Sequence, residues 1–205
     1  MTFTDTTALA TAWLNQPAFG QRPARTLLVG AATLAVRHRF NGWSFQLEAH
    51  SSTVTDNPAE TILWLAEDLA ARPSRLLLWR AEDIVVPSLI AAAETARDGL
   101  AGTKFLRELE RTFTGEVEDV AQAFGSTKAA SFDAIAHEHG LPFIAMSRSG
   151  LEEAHRIGNH GTIREHLASR VKATWRLWLR SRPDGEALIA ATDAWLATPD
   201  AQVKL

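Results

Sequence analysis

"LLLWRAEDIVVPSLI", residues 76–90, decides how the chain is read. The run "RLLLW" from Arg75 is short, continuous and apolar, the pattern of a strand buried on both faces of a sheet. "DIVVPSLIAAAETAR" continues it as a helix. Glu82 and Asp83 fall at the turn between the two, where open α/β sheets commonly bind ligands. The plain reading of this pair is a helix start near Ile84, with two carboxylates favoured by the positive end of the helix dipole.

Upstream, "TDNPAETILWLAEDLAARP" has Asp56 or Asn57 as a cap, Pro58 in the first turn, Ile62, Leu65, Ala66 and Leu69 on one face, and Pro73 as a stop. That spacing predicts an amphipathic helix. "TLLVGAATLAVRHRF" and "GWSFQLEAHS" flank Asn41-Gly42, a strong hairpin signal, with Val36, His38 and Phe40 alternating opposite Trp43, Phe45 and Leu47. "TTALATAWLN" reads as a short helix capped by Thr4 or Asp5 and ended by the prolines and glycine of "QPAFGQRPAR". Beyond residue 100 every patterned segment reads as helix: "TKFLRELERTF", "EVEDVAQAFG", "SFDAIAHEHG", "GLEEAHRIG", "TIREHLASRVKATWRLWLRS" and "DGEALIAATDAWLAT", with Ser131 and Asp184 as caps. The expected organisation is an N-terminal helical appendage over 1–25, an α/β domain over 26–182 whose C-terminal half is helix-rich, and a C-terminal helix over 183–205.

Composition narrows the function. The 205 residues are 46% hydrophobic and 22% charged, enough apolar material for a folded core. A net charge of −3 makes no global demand for nucleic acid or an anionic membrane, so any basic surface is local. The absence of cysteine excludes disulfides, thiolate nucleophiles and Cys-ligated zinc. No apolar run reaches ~18 residues and no signal-peptide pattern opens the chain, so a cytoplasmic location without membrane insertion is expected. "GAATLAV" carries neither a dinucleotide-binding glycine pattern nor a P-loop lysine, and no Gly-x-Ser-x-Gly elbow is present.

Two longer strings carry a family likeness. "LLLWRAEDIVVPSLI" is similar to a strand followed by Asn-Gly and Phe-Asp-x-Pro-x-Leu, and "EVEDVAQAFGSTKAASFDAIAHEHGLP" to Asp-Leu-x-x-x-Leu-x-x-Phe-Gly with a following Gly-Leu-Pro. "REHLASRVKATWRLWLR" sits where the same group has a Tyr-x-x-x-Asp-Val helix. Over about residues 26–180 the chain thus resembles the DnaQ-like 3′–5′ exonucleases of the ribonuclease H-like fold, the group similar to the exonuclease domains of family B DNA polymerases. The resemblance implies an α/β fold with a mixed sheet flanked by helices. It also implies four carboxylates holding two divalent ions, one activating water and the other stabilising the leaving oxygen.

At the matching positions those carboxylates are replaced. The first-strand Asp-x-Glu falls on Gly30 and Ala32, the second-motif Asp on Val85 with Arg80 at the Asn, and the last Asp on Arg170 with His166 at the preceding Tyr. Methyl, methylene-free and isopropyl groups offer a hard cation no oxygen, and a guanidinium repels it. The expectation is therefore a degenerate, catalytically inactive exonuclease-like domain that needs no cofactor and acts by binding a protein of DNA processing or nucleic acid. Two alternatives stand beside it. One is an active exonuclease using Mg²⁺ or Mn²⁺ with rearranged carboxylates among Asp83, Glu116, Glu118 and Asp119, and with His166 as a base. The other is a structural homo-oligomer using Trp-rich helix faces.

The positive hint of a partner is a basic stripe. Arg164, Arg170, Lys172, Arg176 and Arg180 cluster on one predicted helix beside the apolar stripe of Ile163, Leu167, Val171, Thr174 and Trp178. It reads as a phosphate-binding surface, an acidic-protein surface, or a solvated helix face. His137 and His139 lie two apart and point to different sides of a helix, while His155, His160 and His166 converge only if the fold brings them together. Trp64, Trp79, Trp175 and Trp178 sit on patterned elements and are read as core.

Overall fold

The structure, a computed structural model, describes residues 4–202 apart from 22, 41, 58, 72–74, 97, 114, 126–129 and 184. Asn41, Pro58, Pro73 and Asp184, each given a local role above, lie outside the described residues. The architecture is mixed α/β. β1 (Thr6–Gln16), β2 (Arg25–Arg39) and β3 (Gly42–Ser51) form an antiparallel meander, α1 (Glu60–Ala71) crosses over, and β4 (Arg75–Leu78) and β5 (Val117–Asp119) complete the sheet. The strand order is β3-β2-β1-β4-β5, with β1 parallel to β4 and β4 parallel to β5. α2 (Val86–Glu94) and α3 (Gly99–Phe113) follow β4, and α4 (Phe132–Glu138), α5 (Arg148–Ile157), α6 (His160–Arg180) and α7 (Glu186–Leu196) follow β5.

The largest correction is at the N-terminus. Thr6–Gln16 is a central strand and not an appended helix, so the sheet begins at residue 6 and not at residue 26. Thr6 to Ala12 are buried without a break, which leaves no polar helix face. The strand is hydrogen-bonded on both sides, to β2 and β4, a setting in which β-branched and small residues outlast a weak helical pattern. "EVEDVAQAFG" also differs from its expected helix: Val117–Asp119 pairs with β4, and a 3₁₀ turn over Val120–Phe124 follows, capped by the Asp119 carboxylate, which accepts from Ala121 N–H. The C-terminal helix expected over 183–205 is present as α7, and it packs on the domain. Trp195 stacks on Phe45 of β3 with ring centroids 5.0 Å apart, and the buried Trp175 indole donates to Thr192 at 3.0 Å.

Other expectations hold. The β2–β3 hairpin pairs Val36 with Phe45 and His38 with Trp43. Ile62, Leu65, Ala66 and Leu69 of α1 are buried, and the Ser131 hydroxyl caps α4 by accepting from Ala134 N–H. Two cores result, one on each face of the sheet. Leu9, Leu28 and Ala31 pack with α1, α2 and α3. Ala8, Ala10, Ala12, Ala32 and Leu34 pack with Ile163, Leu167 and Val171 of α6 on the other face. Trp79, Trp175 and Trp178 belong to this second core, as their patterned positions suggested, and Trp195 joins them, whereas Trp64 is half-buried against the first core.

Gly30 permits the close approach of α6. A Cβ there would lie 2.6 Å from Leu167 Cδ1 and 3.0 Å from Ile163 Cγ2, well inside carbon contact distance. The small residues of β1 and β2 are thus the surface against which one long apolar helix is pressed.

Candidate functional site

The carboxyl end of β4 is the natural place for a site in a sheet of this kind. Arg80 leaves the strand in the left-handed region at φ 57°, uncommon for a residue with a side chain. Its N–H donates to Asp119 Oδ1 at 2.8 Å, tying the ends of β4 and β5 together. One π-helical turn over Ala81–Val85 then leads into α2. Glu82 and Asp83 make no side-chain cap there, contrary to the plain reading; Asp83 instead pairs with the Arg80 guanidinium at 3.6 Å.

Aromatic rings connect this edge to α6. Trp79 meets Phe132 edge-on at 5.2 Å, and the Arg170 guanidinium lies 4.2 Å from the Phe132 ring centroid, within cation–π range. Asp133 approaches Arg170 at 3.9 Å. Burial pushes the Arg170 guanidinium below its ordinary value, an effect that Asp133 opposes. One turn earlier, His166 donates from Nδ1 to the Ile144 carbonyl at 2.6 Å, since a carbonyl can only accept. Burial pushes His166 below the ordinary histidine value, Arg170 adds to the effect, and the Ile144 carbonyl and Asp133 oppose it.

The positions nominated from sequence do not converge as a set. Gly30 and Ala32 belong to the second strand of the sheet, and Ala32 shares the α6 core. Val85 belongs to the core on the other face, with α1, α2 and α3. Arg170 stands against Phe132. The strand that occupies the first position is β1, and its α6 face presents Ala8, Ala10 and Ala12. Two-residue spacing puts side chains on one face of a strand, so a first-strand Asp-x-Glu pair would occupy two of these three alanines. Methyl groups do not fit divalent ions.

The alternative carboxylates are committed elsewhere. Glu116 pairs with Arg75 at 2.6 Å, Glu118 accepts from the Trp178 indole at 2.8 Å, and Asp119 accepts from Arg80 and Ala121. Among the described residues no three His, Cys, Asp or Glu side chains come together in a way that could hold a metal.

The basic stripe of α6 is also largely used within the chain. Lys172 donates to the Ala201 carbonyl at 3.1 Å and is pushed below the ordinary lysine value by burial. Arg176 pairs with Asp193 of α7 at 3.2 Å, and Arg180 donates to the His139 carbonyl. Arg164 Nε is buried without a hydrogen-bond partner in the structure. These cations fasten the C-terminal segment and the α4 end to α6, which the sequence could not show because the fastened segments lie up to 41 residues away.

A second constellation gathers two of the three histidines that the sequence left to the fold. His155 and His160, on either side of the α5–α6 corner, reach the loop between β3 and α1. His155 Nδ1 lies 3.1 Å from the Ser52 carbonyl, and His160 Nδ1 lies 3.1 Å from that of Ser51, while His160 Nε2 is 3.2 Å from Asp56 Oδ2. Thr53 donates to the same Asp56 oxygen from its N–H at 2.6 Å and its hydroxyl at 2.8 Å. Burial raises the Asp56 value, but the two Thr53 hydrogen bonds and the nearby histidines outweigh it and leave the carboxyl below its ordinary value. The sequence offered Asp56 as a helix cap and His155, His160 and His166 as residues the fold could bring together; the fold brings His155 and His160 to this loop, and His166 to Ile144 instead. His137 is exposed, and His139 packs edge-on against Phe124 at 5.2 Å.

Compared with known proteins, the chain matches no family model and no curated sequence.

Proposed function

We propose that this chain is a ribonuclease H-like domain of the DnaQ-like exonuclease group that has lost its chemistry and works by binding a protein partner. The observation that carries the reading is β1. It is the first strand, it lies beside β4, and its helix-covered face holds Ala8, Ala10 and Ala12 where the resemblance calls for Asp-x-Glu. The meander of three antiparallel strands followed by two parallel ones supports the fold part of the proposal. So does the left-handed backbone at Arg80, the position of the family's Asn, a residue enriched in that conformation. Leu167 and Ile163 press against Gly30 on the neighbouring strand, so helix side chains occupy space beside the sheet that two hydrated ions would need.

A protein is favoured over nucleic acid because the α6 cations already bond Ala201, Asp193 and His139. Backbone-phosphate binding relies on cations free to displace counterions.

The test is incubation of end-labelled single-stranded DNA with the protein and Mg²⁺ or Mn²⁺, followed by gel electrophoresis. The substrate is expected to stay full-length and to migrate without retardation at physiological salt. A product ladder abolished by Asp83→Ala would establish the active exonuclease instead, and a salt-sensitive shift would make nucleic acid the partner. A second reading, a homo-oligomer, has one observation in its favour: β3 lies at the sheet edge, and its ten residues have no neighbouring strand on their outer side among the described residues. A solution mass of twice the chain would select it.

A further inference from the structure

Residues 141–147, "LPFIAMS", join α4 to α5 without helix or strand, and they are mostly apolar. Side chains of this kind are ordinarily drawn into the core. Here only Leu141 is buried; Phe143 and Met146 are half-buried, and Pro142, Ile144 and Ala145 are exposed, Ile144 at 48%. The segment is nonetheless tied down along its length. Leu141 N–H donates to the Ala136 carbonyl at 2.9 Å, Phe143 meets Phe132 edge-on at 5.5 Å, and the Ser147 hydroxyl caps α5 by accepting from Gly150 N–H. Ile144 is gripped on both sides by α6: its N–H donates to Ser169 Oγ at 2.9 Å and its carbonyl accepts from His166 Nδ1 at 2.6 Å. A single exposed isoleucine is ordinary. One whose backbone is fixed at both polar groups has little freedom left to lose when another molecule docks on it.

Arg170 supplies the charge. It follows Ser169 and lies one turn after His166 on α6, so it stands beside the Ile144 backbone. Phe132 lies against its guanidinium, 4.2 Å from ring centroid to carbon, and 28% of the side chain remains open to solvent. The guanidinium makes no hydrogen bond among the described residues, and Asp133, the carboxylate that faces it, is 3.9 Å away, too far for one. Such a cation has given up water to the ring without gaining an oxygen within hydrogen-bond reach, and a bidentate carboxylate restores what it lacks.

We propose that Ile144 and Arg170 form the docking point for an acidic amphipathic helix of a partner protein, with an apolar side chain of that helix on Ile144 and Pro142 and an acidic side chain one turn away on the Arg170 guanidinium. This rests on the proposed function, binding of a protein, and adds the surface and the chemistry of the partner. A helix is favoured over an added strand because Ile144 has both backbone groups engaged by α6, so recognition there passes through side chains. The spacing agrees. Residues four apart on a helix stand about 5–6 Å apart, and the His166 that holds the Ile144 carbonyl is four residues from Arg170. A protein carboxylate is favoured over a nucleic-acid backbone because one open guanidinium, flanked by Asp133 and apolar side chains, offers a string of phosphates a single contact.

The experiment measures binding of fluorescently labelled helical peptides of about 15 residues to the full chain, by anisotropy at physiological salt. Each peptide carries one glutamate a turn away from a leucine, isoleucine, methionine or phenylalanine. At least one is expected to bind, and its glutamine counterpart to bind about ten-fold more weakly. Arg170→Gln and Ile144→Ser should each weaken the same peptide about ten-fold, while Asp133→Asn, which removes the competing carboxylate, should tighten it about two- to three-fold. Arg170 packs on Phe132, so urea unfolding checks that variant; Ile144→Ser changes an exposed side chain and keeps both backbone hydrogen bonds, so a folded variant remains to decide the matter. Peptides that do not bind, binding indifferent to the glutamine replacement, or affinity unchanged in Ile144→Ser would overturn the proposal. So would single-stranded DNA that binds more tightly than every peptide and depends on Arg170. The reading of the chain as an inactive domain is judged separately, by the DNA digestion, and stands if only this surface fails.

Discussion

Gly30→Ala is the most direct probe of how tightly α6 is pressed onto the sheet. Alanine is ordinarily the better strand residue by about 0.5–1 kcal/mol, because glycine loses more backbone freedom on folding. Here the added methyl would meet Leu167 Cδ1 at 2.6 Å, Ile163 Cγ2 at 3.0 Å and the His50 carbonyl at 3.3 Å. Carbon atoms settle at about 3.5–4.0 Å, so Leu167 must retreat by roughly 1 Å. Leu167 and Ile163 are fully buried among other core side chains, and the carbonyl is backbone, so none has free space to move into. Overpacking of this kind costs about 1–3 kcal/mol, and the net loss after the strand gain is about 1–2 kcal/mol. For a chain of this size the midpoint of thermal unfolding should fall by about 2–8 °C. Urea unfolding followed by tryptophan fluorescence reads the free energy directly. Leu167→Ala alone should cost about 2–5 kcal/mol, and the double variant should be less destabilised than the sum by at least ~1 kcal/mol, because the new methyl occupies part of the vacated space. A Gly30→Ala protein as stable as the parent, or strictly additive losses, would refute the close packing and with it the claim that helix side chains fill this side of the sheet.

Three further outcomes are expected. Thr192→Val leaves the buried Trp175 N–H without its acceptor and should cost about 1–3 kcal/mol in urea unfolding; a loss under ~0.5 kcal/mol would contradict the assigned hydrogen bond. Removal of residues 186–205 should abolish cooperative unfolding, because Trp195 and Leu188 belong to the core; an intact, cooperative truncation product would show that the fold does not depend on α7. Burial holds His166 and His50 below the ordinary histidine value of about 6.5, so as the pH falls through that value the unfolded chain takes up protons before the folded one does. Stability should therefore decrease from about pH 6.5 downwards, and His166→Gln, which keeps a donor for Ile144, should flatten part of that slope; a profile identical to the parent's would count against a buried neutral ring.

Several elements were legible because their information is local. The period of α1, the hairpin around Gly42, the strand at Leu76–Leu78 and the Ser131 cap all follow from neighbouring residues. The misreadings share one cause. Thr6–Gln16 has little helical or strand character of its own, and becomes a strand because β2 and β4 hydrogen-bond both its edges. Val117–Asp119 is short and acidic, and becomes a strand because β4 offers it a partner. The shift of β1 bears on the proposed function: on that reading the first-strand positions fall on the alanines of β1 and not on Gly30 and Ala32 of β2.

The sequence by itself determined the composition of the possible chemistry. It contains no cysteine and no acidic pair in either β1 or β2, and it supplies a long helix with an apolar stripe and a basic one. Tertiary structure decided what those residues face. Lys172 and Arg176 turned from a surface into fasteners once α7 and Ala201 folded back upon them. Asp56, His155 and His160, spread over more than 100 residues of chain, became neighbours because α6 packs across β3. Periodicity records which side of an element is apolar, but the identity of its partner depends on contacts between distant segments, and these exist only after the chain has closed its loops.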